Sequence, residues 1–119
     1  MNDKSKHRQF QQKVIYFADW NPNQLTGDIL PLTKVGVSAN PKERITEYTV
    51  PPFQPTITAT FIPQEDARKV ERELHNYFKL HDFHINGEWF SLPDSIIGWA
   101  ERQNKVSKSD IQNIDVKNC

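Results

Sequence analysis

Cysteine, net charge and long apolar runs are nearly or wholly missing from this sequence of 119 residues. The single cysteine is Cys119, and one thiol excludes both an internal disulfide and a cysteine-rich zinc site. The chain carries 15 acidic and 15 basic side chains. Because these charges balance, net charge gives no support for nucleic-acid binding, and any binding of phosphate must depend on a local patch.

The absence of a long apolar run excludes a helix that spans a bilayer, and the beginning of the chain lacks the apolar segment of a secretory signal. We therefore expect a soluble, cytoplasmic protein with no membrane partner. With 36% hydrophobic residues, the chain suits one compact domain. We place that domain at residues 14–103, between a basic flexible arm (1–13) and a polar C-terminal tail (104–119). A solvated tail that only aids solubility is the alternative for the arm.

Two segments near the beginning of the domain have the composition of β-strands. "VIYFADW" (14–20) and "TKVGVS" (33–38) are rich in β-branched or aromatic residues, and a loop with prolines separates them. If the strands pair antiparallel, alternation sorts their side chains onto two faces. One face carries Ile15, Phe17, Val35 and Val37, and the other carries Tyr16, Lys34, Gly36 and Ser38.

The rest of the domain alternates between helical and strand patterns. Asn40 and Pro41 predict the start of a short helix that ends near Tyr48, and "TITATFI" (56–62) predicts a third strand. "QEDARKVERELHNYFKL" is the longest helical pattern, and "DSIIGWAERQ" predicts a last helix. These elements predict an α+β fold in which helices flank a small three-stranded antiparallel sheet, in the order β-β-α-β-α-α.

Glu71 is an anomaly within the longest helix. It lies four residues after Ala67 and three before Leu74, so it projects from the apolar stripe of the helix. A buried carboxylate needs a partner, because burying its charge alone is prohibitively costly. A metal ion, a water molecule or a nearby arginine or lysine would each serve.

Five short motifs occur in order along residues 14–92. They are "IYF" (15–17), "KVG" (34–36), Arg44, "ERELHNYF" (71–78) and "GEWF" (87–90). This set resembles the GIY-YIG endonuclease superfamily, in particular its small stand-alone phage and bacterial branch. The chain departs from that pattern in two places, since no glycine precedes Ile15 and Lys34 stands where the second motif has tyrosine.

The resemblance implies a metal-dependent endonuclease that hydrolyses phosphodiester bonds in DNA. In that interpretation Glu71 binds Mg²⁺, for which Mn²⁺ would substitute, and Tyr16 is the general base. Lys34 supplies a positive charge that favours the phenolate form of Tyr16. Arg44 grips the phosphate, and Tyr48, one helical turn further on, orients water or phosphate.

Four further residues are candidates for contact with the substrate. Gly36 would let the backbone approach the scissile phosphate closely, and Ser38 shares its strand face. His75 lies four residues after Glu71 and Asn86 is a weaker match to the superfamily pattern. For His75, a structural role near the "GEWF" turn is the alternative. We interpret the aromatic residues of that turn as part of the core, and Glu88 within it as a residue that holds a loop in place.

Two other functions compete with hydrolysis. The first is a nucleic-acid-binding accessory module that keeps the phosphate grip without catalysis. The second is a protein-interaction domain in which Lys34 and Arg44 are ordinary surface cations. The sequence leaves the oligomeric state open, and a homodimer is one way in which an enzyme with one site per chain could cut both strands.

Overall fold

Three long strands form the centre of the sheet, at the segments where β-branched and aromatic residues follow one another. The computed structural model describes residues 12–20, 32–47 and 55–114. Strand β1 (Val14–Trp20) is central, and it pairs antiparallel with β2 (Leu32–Ser38) on one side and with β3 (Thr56–Pro63) on the other. The predicted antiparallel hairpin of the first two strands is confirmed.

Three short strands extend this sheet to six, so the prediction of a three-stranded antiparallel sheet was wrong. The short strands are β4 (His84–Asn86), β5 (Trp89–Phe90) and β6 (Lys105–Val106). The strand order is β4-β5-β2-β1-β3-β6, and the sheet is mixed because β6 runs parallel to β3. Strands of two or three residues are too short to show alternation, which is why the sequence did not reveal them.

Four helices pack around the sheet in the described part of the chain. They are α1 (Pro41–Thr46), α2 (Ala67–Leu80), α3 (Asp94–Glu101) and α4 (Lys108–Gln112). The side chain of Asn40 accepts a hydrogen bond from the Glu43 amide at the start of α1, as expected of an N-cap. None of the helices in these ranges is long and apolar enough to cross a membrane.

The folded part of the chain continues past the boundary that we expected at residue 103. Val106 in β6 and Ile111 in α4 are fully buried. A capping box formed by Ser107 and Asp110 begins α4, and the Tyr77 hydroxyl donates a hydrogen bond of 2.8 Å to the Ile114 carbonyl. The segment 104–114 is therefore part of the domain rather than of a polar tail.

The two faces of the sheet bury different sets of side chains. The larger cluster lies between the sheet and helices α2, α3 and α4, and it includes Phe17, Val35, Leu74, Phe78 and Phe90. The smaller cluster lies beneath α1, where Tyr16, Ala18 and Ile45 pack together with the partly buried Ile57. The predicted sorting of Ile15, Phe17 and Val35 away from Tyr16 is confirmed.

Candidate functional site

Glu71 lies at the margin of the buried stripe of α2. Its neighbours Val70 and Leu74 are fully buried, and its own side chain is 14% exposed. The closest described ion-pair contact is with His75, at 3.9 Å between Oε2 and Nε2. Burial, and secondarily the charge of Glu88, raises the pKa of Glu71, while Arg68 and Lys34 oppose the shift. The carboxylate thus carries a charge that its surroundings disfavour.

His75 fixes α2 to the sheet. Its Nε2–H donates a hydrogen bond of 2.9 Å to the Val35 carbonyl in β2, and its ring lies 5.0 Å from that of Phe90. Burial lowers the pKa of His75, against the opposing effects of the Val35 hydrogen bond and of Glu88. The structural alternative for His75 accounts for these contacts, and substrate binding by this side chain stays a prediction.

The outer edge of β2 brings the functional groups together at Val35. The Val35 amide donates a hydrogen bond of 2.9 Å to the carbonyl of Glu88. The Val35 carbonyl accepts the bond from His75, which lies one helical turn from Glu71. Since the amide and the carbonyl of one strand residue point to the same edge, this edge of β2 carries both Glu88 and the Glu71–His75 pair.

Lys34 is buried next to this edge. It is 3% exposed, and its Nζ lies 2.6 Å from Oε1 of Glu88 and 5.7 Å from the centre of the Trp89 ring. The Glu88 side chain itself is 41% exposed. Lys34 is therefore a buried cation whose charged partner is reachable from solvent.

Glu88 is the site residue that the sequence did not identify. It binds Lys34, and its charge raises the pKa of both Glu71 and His75. The sequence offered only a carboxylate beside two aromatic residues in a turn. Its importance follows from the pairing of β5 with β2, which places Trp89 opposite Lys34.

Tyr16 and Gly36 are cross-strand partners on the face beneath α1. A Cβ atom added to Gly36 would lie 2.8 Å from the Tyr16 hydroxyl oxygen and 2.9 Å from the ring carbon that bears it. The missing side chain at position 36 therefore makes room for the phenol ring. Tyr16 is 1% exposed, so its ring is held firmly in this position. The role predicted for Gly36 in substrate approach is untested.

The described contacts of the remaining predicted residues are local ones. Arg44 on α1 is half-buried and forms an ion pair with Glu47, the residue that caps the end of this helix. The Ser38 hydroxyl accepts a hydrogen bond from the Asn40 amide, at 2.9 Å. Asn86 is exposed on β4, opposite Trp89 in the strand register.

Tyr48 lies outside the described residues, so its predicted role has no structural counterpart here. Residues 1–11 of the predicted basic arm (1–13) also lie outside the described residues.

The carboxylates at this edge fit a magnesium ion that is held by few protein groups. Mg²⁺ keeps most of its water molecules and binds proteins through one or two carboxylates. Glu71 is partly desolvated and repelled by Glu88, and a divalent cation would remove both penalties. Within residues 12–20, 32–47 and 55–114, no three histidine, cysteine or acidic side chains are grouped as a metal cage. The donor set therefore suits an ion bound chiefly through Glu71 and water.

Comparison with models of known protein families shows to which family the chain belongs. Residues 13–109 match the model of the T5orf172 domain. The chain belongs to the T5orf172 family. The match covers every site residue that the sequence singled out, and it extends beyond residue 103, as the structure does. Comparisons of this T5orf172 domain with curated proteins and with solved structures gave no significant match.

The match corrects the resemblance to the GIY-YIG superfamily, which was wrong. Several residues of the motifs behind that resemblance have packing roles in the T5orf172 domain. Leu74, Phe78 and Phe90 are fully buried, and His75 binds the backbone of β2. Any fold that lays a helix across a hairpin favours such residues, so they carry little information about family.

Proposed function

We propose that this T5orf172 domain is a metal-dependent endonuclease that hydrolyses phosphodiester bonds in DNA. One observation carries the proposal: the Glu71 carboxylate, 14% exposed, lies in the field of a second acid and of a buried lysine. A raised carboxylate pKa beside a specific charge partner is more common at functional sites than elsewhere. Structural packing alone gives no reason to place an acid there.

Glu71 would hold Mg²⁺ through its carboxylate. The bound ion supplies positive charge that stabilises the phosphate and the leaving oxygen. Lys34 adds a second positive charge from the neighbouring strand. Because its ammonium group is paired with Glu88 at 2.6 Å, an incoming phosphate competes with Glu88 for the same cation. Glu88 thus keeps Lys34 ordered until the substrate arrives.

Tyr16 and Arg44 complete the proposed machinery. Tyr16 lies on the same strand face as Lys34, and its contact with Gly36 fixes the direction of the phenol. To act as general base, the Tyr16 hydroxyl must contact a water molecule. Tyr16 is 1% exposed, so water does not reach it in this structure. Arg44 can exchange Glu47 for a phosphate at low cost, because exposed ion pairs contribute little stability.

A nucleic-acid-binding module without hydrolysis is the second candidate. It is favoured by the burial of Tyr16 and by the neutralisation of Lys34 through Glu88. Both features suit a rigid binding surface as well as they suit a catalytic site. The Glu71 carboxylate weighs against this candidate, since an unneutralised acid repels the phosphates that a binding surface must attract.

Cleavage assays with matched acidic variants distinguish the two candidates. Wild type, Glu71→Gln and Glu73→Gln are incubated with supercoiled plasmid and with a single-stranded oligonucleotide, in Mg²⁺, in Mn²⁺ and in EDTA. Glu73 lies on the same helix, so its variant removes the same charge away from the site. We expect metal-dependent cleavage by wild type and Glu73→Gln. The Glu71→Gln variant should lose at least about a hundredfold in rate, the scale seen when transition-state charge stabilisation is removed.

One result would overturn the endonuclease proposal, and another would overturn the role of Glu71 within it. Wild type that binds DNA but never cleaves it in either metal would establish the binding module instead. Equal cleavage by wild type and Glu71→Gln would show that Glu71 is not the metal ligand.

A further inference from the structure

Two tryptophans lie beside the proposed phosphate site, on the sheet face that carries Tyr16. Trp20 is the last residue of β1 and Trp89 the first of β5. Their rings are 6.1 Å apart at an interplanar angle of 61°, and both residues are half-buried. The Lys34 ammonium lies 5.7 Å from the centre of the Trp89 ring.

These tryptophans differ from Trp99, the third one in the chain. Trp99 packs against the main core and makes an edge contact with Phe61 at 5.7 Å. Neither cluster of buried side chains found among the described residues includes Trp20 or Trp89. Large aromatic side chains outside a core, next to a cation, are typical of surfaces that bind nucleic-acid strands.

Aromatic faces recognise nucleobases by stacking, without a requirement for sequence. Inside a duplex, both faces of each base are covered by its neighbours, so only an unpaired base offers a face to a protein side chain. A nucleotide whose base stacks on Trp89 carries a phosphate that its sugar keeps close by. Lys34 and Glu88 adjoin the same ring, and this phosphate would therefore be delivered to their ion pair.

We propose that Trp89, supported by Trp20, is a stacking platform for an unpaired nucleobase, and that the substrate class of this domain is single-stranded or locally unpaired nucleic acid. This inference deepens the proposed function, because the platform borders the site assigned to phosphate. Stacking itself can be measured without hydrolysis, so the two proposals fail separately.

The test measures binding in EDTA with the Glu71→Gln variant, where cleavage is excluded. Three ligands are compared: an oligothymidylate, a strand of equal length built from abasic residues, and a duplex of the same length. The abasic strand has the same phosphates but no bases. We expect the oligothymidylate to bind about tenfold more tightly than the abasic strand, within the range of stacking on aromatic side chains. The oligothymidylate should also quench tryptophan fluorescence more than the duplex does.

Substitutions of the tryptophans show which of them causes the preference for the oligothymidylate. Trp89→Leu keeps an apolar side chain but removes the stacking face, and it should abolish the preference for the oligothymidylate over the abasic strand. Trp99→Phe is the control, because Trp99 belongs to the core, and it should leave the preference unchanged. Circular dichroism and a cooperative thermal transition establish that each variant is folded.

Equal affinity for the oligothymidylate and the abasic strand would overturn the inference, as would a preference that survives in folded Trp89→Leu. Duplex binding that is as tight as oligothymidylate binding, with equal quenching, would also overturn it. If Trp89→Leu does not fold, two other measurements test the inference. They are the effect of Trp20→Leu on the preference for the oligothymidylate, and the three-ligand comparison on the Glu71→Gln protein itself. Absence of cleavage by wild type leaves the inference standing, since every measurement is made without metal.

Discussion

Among the described residues, the two faces of the sheet bury clusters of very different size. On one face, α2, α3 and α4 enclose a cluster in which Phe17, Phe78 and Phe90 are fully buried and in ring contact. On the other face, the described residues form a smaller buried cluster of Tyr16, Ala18 and Ile45 beneath α1. The first face supplies most of the apolar burial. The second face can therefore retain charged groups that a core would exclude, such as Lys34.

The comparison also explains where the site lies. Glu71 and His75 come from the well-packed face, whereas Lys34 and Trp89 belong to the other. They meet at the edge of β2, where His75 and Glu88 both bind the backbone of Val35. The larger core gives these groups fixed positions, and the half-exposed Glu88 side chain connects them to solvent.

The largest expected effect contrasts the two faces directly. Phe78→Ala removes a fully buried ring from the larger cluster, and it should lower the free energy of unfolding by about 3–5 kcal/mol. Ile45→Ala removes a side chain that is 8% exposed from the smaller cluster, and it should cost about 2 kcal/mol, the low end for this kind of truncation. Urea denaturation followed by circular dichroism measures both. Equal losses would contradict the view that stability resides mainly on one face.

A smaller effect concerns the packing of Tyr16 against Gly36. Gly36→Ala places a methyl group 2.8 Å from the Tyr16 hydroxyl oxygen. Because Tyr16 is buried, its ring cannot simply swing into solvent, and the strain should cost about 1–3 kcal/mol in unfolding free energy. Thermal and urea denaturation measure this loss.

Gly98→Ala is the matched control for Gly36→Ala. Gly98 lies within α3, and its added Cβ would meet only the end of the flexible Arg102 side chain, at 3.3 Å. Alanine is the better helix former, so this variant should gain about 0.5–1 kcal/mol. If Gly36→Ala leaves the free energy of unfolding unchanged while Gly98→Ala raises it, the packing of Tyr16 against Gly36 can relax to accept a methyl group.

The smallest expected effect is the dependence of stability on pH through Glu71. The folded state raises the pKa of Glu71, mainly by burial, so the ionised side chain destabilises the metal-free protein above that pKa. As the pH falls through the raised value toward the unfolded one, the carboxylate becomes protonated and the penalty disappears. Glu71→Gln should therefore raise the Tm by a few degrees at most at neutral pH, and the difference should close at low pH.

His75 acts in the opposite direction and is present in both proteins of that comparison. Its pKa is lowered by burial, so stability is lost as the pH falls below the unfolded value of about 6.5. Both proteins carry His75, so the difference between their melting curves reports the loss of the Glu71 charge together with any change in its contact with His75. A Tm difference that does not change with pH, or a less stable Glu71→Gln, would mean that Glu71 has a favourable partner in the metal-free fold.

Most of the central architecture could be predicted because it depends on local patterns. The β-branched and aromatic residues of "VIYFADW" and the alternation in "TITATFI" predicted long strands, and the apolar spacing from Val70 to Phe78 predicted α2. By contrast, Val106, Ile111 and Ile114 are isolated apolar residues in a polar segment. Only their burial against distant elements shows that they belong to the core.

The site was only partly predictable for the same reason. Glu71 could be found because its carboxylate interrupts an apolar stripe. Glu88 could not, since its partner Lys34 is 54 residues away and the contact depends on the pairing of β5 with β2. The family was misassigned because short motifs built around Leu74 and Phe90 reflect packing that unrelated folds also need.

The parallel pairing of β6 with β3 satisfies backbone groups at one end of the β3 edge. The Ile62 amide donates to the Asn104 carbonyl and the Gln64 amide to the Val106 carbonyl, both at 2.8 Å. Without residues 104–106 these groups would form an open strand edge, which is a template for pairing with another copy of the chain. A chain shortened at residue 103, or one whose end has not yet left the ribosome, would expose that template. We expect such a shortened chain to aggregate more readily than the full chain.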